Sequence, residues 1–452
     1  MYRKSFESLV KWKNSSKRKP LILMGARQVG KTWLMNEFSN AYYPNDTVRI
    51  DLQKNESLQR QIDASDLNPS GLIDLIQAFT GKTITPGKTL LIIDEIQESP
   101  QALNSLKYFN EEMPDLAILV AGSLLGLSMG KTDDKKHPRK NSFPVGKVSF
   151  LDIHPLSFGE FVQAIDTPAH LKPLEEGNWT ILDGLHGLYE TLLRKYLFVG
   201  GMPEAVAEFA ETGDYTSVRR IQSDILLSYD ADFVKHAPPE LLGKIRLLWH
   251  NVPAQLAKEN KKFIYTALKS GARAREYETA LQWLHDAGMI RQVFRVSPPR
   301  LPLFSYQDFS AFKLYLHDVG LLGAMAGLSS QTLLDGNALF TNFRGSLTEQ
   351  YVLQELIATN LTPYYWTSDS GNAEVEFVVQ GETAVFPIEA KAGINTKAKS
   401  LKTFRELFAP PYAIRTSLAP HQDGHATKDI PLYAFGAQLP HLLTARPAAD
   451  CT

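Results

Sequence analysis

Leu21-Ile22-Leu23-Met24-Gly25-Ala26-Arg27-Gln28-Val29-Gly30-Lys31-Thr32 is the stretch from which the fold of this chain is read. Four apolar residues suit a buried strand. Two glycines then bound a loop, and Thr32 to Phe38 places apolar residues at helical spacing, so a helix that packs on a sheet should follow. The loop fits G-x-x-x-x-G-K-[ST] at every specified position. Gly25 and Gly30 permit backbone conformations and close approaches that a side chain would block. The loop N–H groups then converge on phosphate oxygens at the positive end of the helix. In such a loop Lys31 neutralises the β- and γ-phosphates and the Thr32 hydroxyl holds Mg²⁺. The expected nucleotide contacts are Gly25, Ala26, Arg27, Gln28, Val29, Gly30, Lys31, Thr32 and Trp33.

Working outward, Thr89-Leu90-Leu91-Ile92-Ile93-Asp94-Glu95 is an apolar run that ends in two carboxylates. Buried parallel strands have this composition, and open α/β sheets bind ligands at the carboxyl ends of their strands. Asp94 is therefore expected at the metal, directly or through water, and Glu95 as the base that polarises the attacking water. A third strand, Ala117 to Ser123, ends at the same sheet edge, which makes Ser123 a candidate for the γ-phosphate or the water. Val48 to Leu52 is a further strand, and Leu72 to Phe79 a helix.

At 452 residues the chain exceeds one hydrophobic core, so two or three domains are expected. Its 44% hydrophobic and 21% charged residues are those of an ordinary globular protein, and the net charge of -1 argues against a polyanion-seeking chain while leaving room for a local basic face. The single cysteine, Cys451, rules out an internal disulfide and fits a reducing, cytoplasmic setting. The first twenty residues are rich in Lys and Arg but hold no apolar signal core, and no apolar run is long enough to span a membrane.

Further along, residues 166–260 read as helices broken at Gly200-Gly201-Met202-Pro203. Residues 263–298 look like a winged helix-turn-helix. One helix closes at Ala267-Leu268-Lys269, a second runs Arg275 to Asp286, and Met289 to Val296 alternates as a wing strand. Arg273, Arg275, Arg291 and Arg295 would suit DNA phosphates, and packing or protein contact is the rival use of such a module. The C-terminal part opens with a helix from Gly345 to Thr359, which contains Glu349. Strands follow at Pro363 to Trp366, Glu374 to Val379 and Ala384 to Lys391, then a helix at Ala398 to Leu407 and a strand at Tyr412 to Ile414.

The loop at Gly25 to Thr32, Leu91 to Gln97, Ala121-Gly122-Ser123, His154-Pro155-Leu156-Ser157-Phe158-Gly159-Glu160-Phe161 and Gly200 to Ala205 together resemble the bacterial and archaeal AAA-type P-loop ATPases that carry a C-terminal DUF4143 region. The resemblance covers nearly the whole chain. It implies an α/β P-loop core at 1–165, a helical lid at 166–262, the winged helix at 263–300 and a nuclease-like α/β domain at 301–452, with ATP and Mg²⁺ bound. Such ATPases often use an arginine at the γ-phosphate. This chain has Lys147 where relatives often carry Arg, and Arg139 lies in a polar, lysine-rich stretch. The order of C-terminal elements resembles the PD-(D/E)xK nuclease core, in which carboxylates hold metal and a lysine orients water. Glu349, Glu376, Glu389 and Lys391 match it, but Glu376 stands where Asp is usual, and the extra methylene moves the carboxylate by about 1.5 Å. Two functions follow: an ATPase acting on DNA, or a nucleotide switch that binds a protein partner or itself and carries an inactive nuclease-like domain.

Overall fold

The computed structural model describes residues 1–65, 68–122, 144–258, 261–330, 341–393 and 399–444. Ser123, Arg139 and Cys451 lie outside them. The chain divides into two compact units: Tyr2–His154 with Asp286–Met289, and Pro155–His285 with Ile290–Thr452.

The first unit runs α1 (Ser5–Lys13), β1 (Leu21–Met24), α2 (Lys31–Tyr42), β2 (Thr47–Asp51), α3 (Glu56–Asp63), α4 (Pro69–Thr80), β3 (Leu90–Asp94), α5 (Pro100–Glu112), β4 (Ala117–Ala121) and β5 (Ser149–Asp152). The five strands form one parallel sheet in the order β2-β3-β4-β1-β5. Every residue of β3 and β4 is buried, as a parallel sheet covered on both faces requires. The helices begin where the sequence supplies caps. Asn68 accepts N–H bonds from Ser70 and Gly71 ahead of Pro69, and Ser99 accepts from Ala102 ahead of Pro100. Ile22, Ile50, Leu91, Ile93, Ile118 and Val120 fill the sheet side of the core, against Leu72 and Ile76 of α4 and Leu106 and Phe109 of α5. All strands point the same way, so the loops after β1 and β3 open on one edge.

The second unit begins with α6 (Phe158–Ile165), α7 (Pro168–Glu176), α8 (Trp179–Gly184), α9 (His186–Val199), α10 (Pro203–Thr212), α11 (Tyr215–His236) and α12 (Pro239–Leu256). Then come α13 (Ala274–Asp286), β6 (Ile290–Val296), β7 (Gln307–Leu316), α14 (Val319–Met325), α15 (Thr341–Ala358), β8 (Tyr364–Thr367), β9 (Glu374–Gln380), β10 (Val385–Ala390), α16 (Lys399–Phe408), β11 (Ala413–Ser417), β12 (Gln422–Asp423), β13 (Thr427–Pro431) and α17 (Leu432–Leu442). Its eight strands form one mixed sheet, β12-β13-β11-β10-β9-β8-β6-β7. The segments read from sequence as lid, winged helix and C-terminal domain thus share one compact unit. The helix expected to close at Lys269 is a 3-10 turn at Tyr265–Ala267, and the expected wing strand β6 is an inner strand of the large sheet.

Two of the segments that carry the family resemblance, His154 to Phe161 and Gly200 to Ala205, have structural reasons. Ser157 and Glu160 form a capping box at the start of α6, each side chain bonding the other's backbone N–H. The Glu355 carboxylate takes the Phe158 N–H at 2.7 Å, while the Phe158 and Phe161 rings meet Tyr196 edge-on at 5.7 and 5.1 Å. Gly200 ends α9 with φ 73°, and a Cβ on Gly201 would lie 2.2 Å from the Leu156 carbonyl oxygen. The Gly201 N–H donates to the buried Asp318 carboxylate at 2.6 Å, and Asp318 also caps α14 through the Leu321 N–H at 2.9 Å.

Candidate functional site

The loop between β1 and α2 is held in conformations that its sequence allows. Gly25 has φ 135°, and a Cβ there would sit 2.2 Å from the Ile153 carbonyl oxygen. Gly30 is left-handed at the cap of α2, and Gln28 is also left-handed, with φ 64°. Lys31 is buried. Its ammonium donates to the Gly25 and Ala26 carbonyls at 2.9 and 2.8 Å, so it lies across the mouth of the loop. Burial pulls its pKa down to about 8, against the opposing pull of the Glu95 and Asp94 charges. Trp33, next on the helix, is 37% exposed.

Asp94 ends β3 beside this loop. The Thr32 hydroxyl donates to its Oδ2 at 3.1 Å, and the Glu95 N–H to its Oδ1 at 3.2 Å. Glu95 is left-handed (φ 51°, ψ 47°), an uncommon backbone for a glutamate, and its carboxylate accepts from the Gln97 amide at 2.5 Å. The geometry therefore brings together Lys31, Thr32, Asp94 and Glu95. It adds Arg49, which sequence reading passed over: a guanidinium nitrogen lies 2.6 Å from the same Asp94 Oδ2, and a second donates to Asn36 Oδ1 at 2.6 Å. The only trace in the sequence is a lone cation inside an apolar strand. The donor set fits a hard dication, since a hydroxyl and a carboxylate meet beneath a loop whose glycine leaves no room for a Cβ. Lys147, weighed as a substitute for an arginine at the γ-phosphate, is instead paired with Glu111 on α5 at 2.9 Å.

The four C-terminal candidates also come together, and two further lysines, Lys261 and Lys313, lie close enough to act on their charges. Glu349 on α15 is buried against the Lys261 ammonium and accepts from the Tyr315 hydroxyl at 3.2 Å. Burial pushes its carboxyl up, but the Lys261 and Lys313 charges outweigh that and hold it below the usual range. Lys313 on β7 has no solvent exposure and reaches Glu374 at 2.5 Å. Lys391 contacts Glu389 and lies 3.5 Å from Glu376. Burial, then the Glu389 charge, holds the Glu376 carboxyl far above its ordinary range. Among the described residues no group of three acidic, His or Cys side chains converges as a metal cage.

Of the arginines expected to meet DNA, Arg295 is bound by Asp308 at 2.6 Å and Arg291 is half-buried, while Arg273 and Arg275 are exposed. Between α13 and the β6–β7 hairpin runs a groove of about 790 Å³, lined by Tyr265, Phe294, Phe309, Phe312 and Glu278 among others.

Residues 17–162 match the AAA domain family, and residues 344–435 match the domain of unknown function DUF4143. The chain thus carries an AAA domain, which contains the P-loop, and a C-terminal DUF4143 region. The AAA domain holds the site at Lys31 and Asp94, and the DUF4143 region holds all four carboxyl-terminal candidates. Residues 190–332 match a second domain of unknown function, DUF8612, which runs from α9 past α14 without a break at the expected winged helix. Among solved structures, the chain is similar to the Walker-type ATPase PABY2304 of Pyrococcus abyssi, at 14% identity and a TM-score of 0.45, over 72% of this chain and 95% of that one. No curated protein matches the chain. Among the described residues, no helix is long and apolar enough to cross a membrane.

Proposed function

We propose that the AAA domain binds ATP and hydrolyses it to ADP and phosphate. The observation that carries this is the meeting of the Thr32 hydroxyl and the Asp94 carboxylate at 3.1 Å, below a loop that Lys31 crosses. Backbone N–H groups from Gly25 to Thr32 would bind the phosphates at the start of α2. Lys31 would trade its two carbonyl partners for phosphate oxygens, and those negative charges favour its charged form. Thr32 and Asp94 would hold Mg²⁺, which neutralises charge on the phosphates when bound. Glu95 would accept a proton from the attacking water, with Gln97 fixing the rotation of its carboxylate. The test is hydrolysis by the purified chain with Mg²⁺. Turnover that disappears in Glu95→Gln while nucleotide binding persists supports this reading; unchanged turnover in that variant removes Glu95 from it.

The DUF4143 region we read as a scaffold without nuclease activity. Lys261 pairs with Glu349 and Lys391 with Glu389, two of the carboxylates that would ligate metal, and the groove beside α13 is aromatic and carries Glu278, which suits a protein partner better than a phosphate backbone. An ATP-dependent switch that engages a protein is therefore favoured over action on DNA. Binding to DNA that weakens steeply with salt would reverse that preference, because counterion release is the mark of phosphate contacts.

A further inference from the structure

Asp94 Oδ2 serves two donors at once, the Thr32 hydroxyl at 3.1 Å and the Arg49 guanidinium at 2.6 Å. Its other oxygen accepts the Glu95 N–H. Arg49 projects from β2, two residues before Asp51, whose register partner on β3 is Asp94 itself. Its second nitrogen is anchored at 2.6 Å by Asn36, which lies one helical turn beyond Thr32 on α2. The guanidinium is thus clamped between the helix that follows the phosphate loop and the carboxylate proposed to hold metal.

A guanidinium and a dication on one carboxylate oxygen repel each other, so only one can use it fully. Arg49 cannot lose its charge to resolve the conflict, because arginine stays protonated. It can move, because its side chain is one-third exposed and has water to turn into. Lys31, a second cation near Asp94, is engaged with the loop carbonyls.

From this geometry we infer that Arg49 competes with Mg²⁺ for Asp94 and so sets the Mg²⁺ requirement of nucleotide binding. Arg49 is a positioning residue here, acting through Asp94. The inference rests on the ATP reading of the P-loop. It also gives β2 a part in the site, since Arg49 must leave Asp94 as metal arrives.

The experiment is titration of Mg²⁺ into the full chain with a fluorescent ADP analogue, in wild type, Arg49→Gln, Arg49→Lys and Asn36→Ala, with a parallel titration in EDTA. Removal of the charge in Arg49→Gln should lower the half-saturating Mg²⁺ concentration by about threefold or more. Arg49→Lys keeps the charge and should stay within about twofold of wild type. Asn36→Ala loosens one anchor and should shift the Mg²⁺ requirement in the same direction by less, and it carries the test if Arg49→Gln does not fold. An unchanged or raised requirement in Arg49→Gln, or in Asn36→Ala where that variant carries the test, overturns the inference while the nucleotide reading stands. Wild-type chain that binds no ADP analogue, with or without Mg²⁺, overturns the nucleotide reading and this inference together.

Discussion

At the scale of single residues, the site depends on charges held in fixed places. Lys31→Ala removes the ammonium that spans the loop, and nucleotide affinity measured by fluorescence should fall by about a hundredfold or more. Glu95→Gln keeps shape and hydrogen bonding but not basicity, so steady-state hydrolysis should drop by about 10²–10⁴-fold with affinity little changed. Asp318 gives a pH signature away from the site. Burial raises its pKa from 3.8 to about 6, although the Gly201 and Leu321 N–H groups pull the other way. The folded chain therefore holds a proton that the unfolded chain has already released between those values. The contribution of this group, about 3 kcal/mol, is fully present below pH 3.8 and is lost as pH rises through about 6. Urea melts at several pH values should show this fall in wild type and a flatter profile in Asp318→Asn. A residue such as Arg49 was not legible in the sequence, because one arginine in a strand does not reveal which neighbouring strand it will face. Lys31, Thr32, Asp94 and Glu95 were legible because their spacing is set by local chemistry.

At the scale of elements, the strands of the AAA domain could be read from apolar runs that a doubly covered parallel sheet requires. The helix starts were written in Asn68-Pro69, Ser99-Pro100 and Ser157 to Glu160. The helix expected to end at Lys269 failed for a local reason. Ser270 and Gly271 follow it, and only a 3-10 turn at Tyr265–Ala267 forms before α13. The turn at Gly200-Gly201 makes a testable claim about packing. Gly201→Ala would drive a methyl onto the Leu156 carbonyl and strain the Asp318 bond, with a loss of about 1–3 kcal/mol or more seen as a lower denaturation midpoint. Gly271→Ala, where no atom lies within 4 Å of the added methyl, meets only the cost of a left-handed backbone and should lose about 1 kcal/mol.

At the scale of the whole molecule, two compact units carry two acidic centres of different character. One sets carboxylates beside a hydroxyl and a phosphate loop. The other answers each carboxylate with a lysine. Incubation of linear, supercoiled and single-stranded DNA with Mg²⁺ or Mn²⁺, with and without ATP, should leave all three intact, and Lys391→Ala should not differ. Cleavage that vanishes in that variant would restore the nuclease assignment. The sequence disclosed Glu349, Glu376, Glu389 and Lys391 by their order, but Lys261 reaches Glu349 across 88 positions of the chain, and no local pattern marks a contact made at such distance. The eight-stranded sheet bears on how the chain can be taken apart. Residue 300 looks like a seam between modules, yet β6 on one side of it pairs along its length with β7 on the other. A cut there would strip two strands of their hydrogen-bonding partners and expose raw sheet edges, so the halves should precipitate or cling to one another rather than survive as separate soluble pieces.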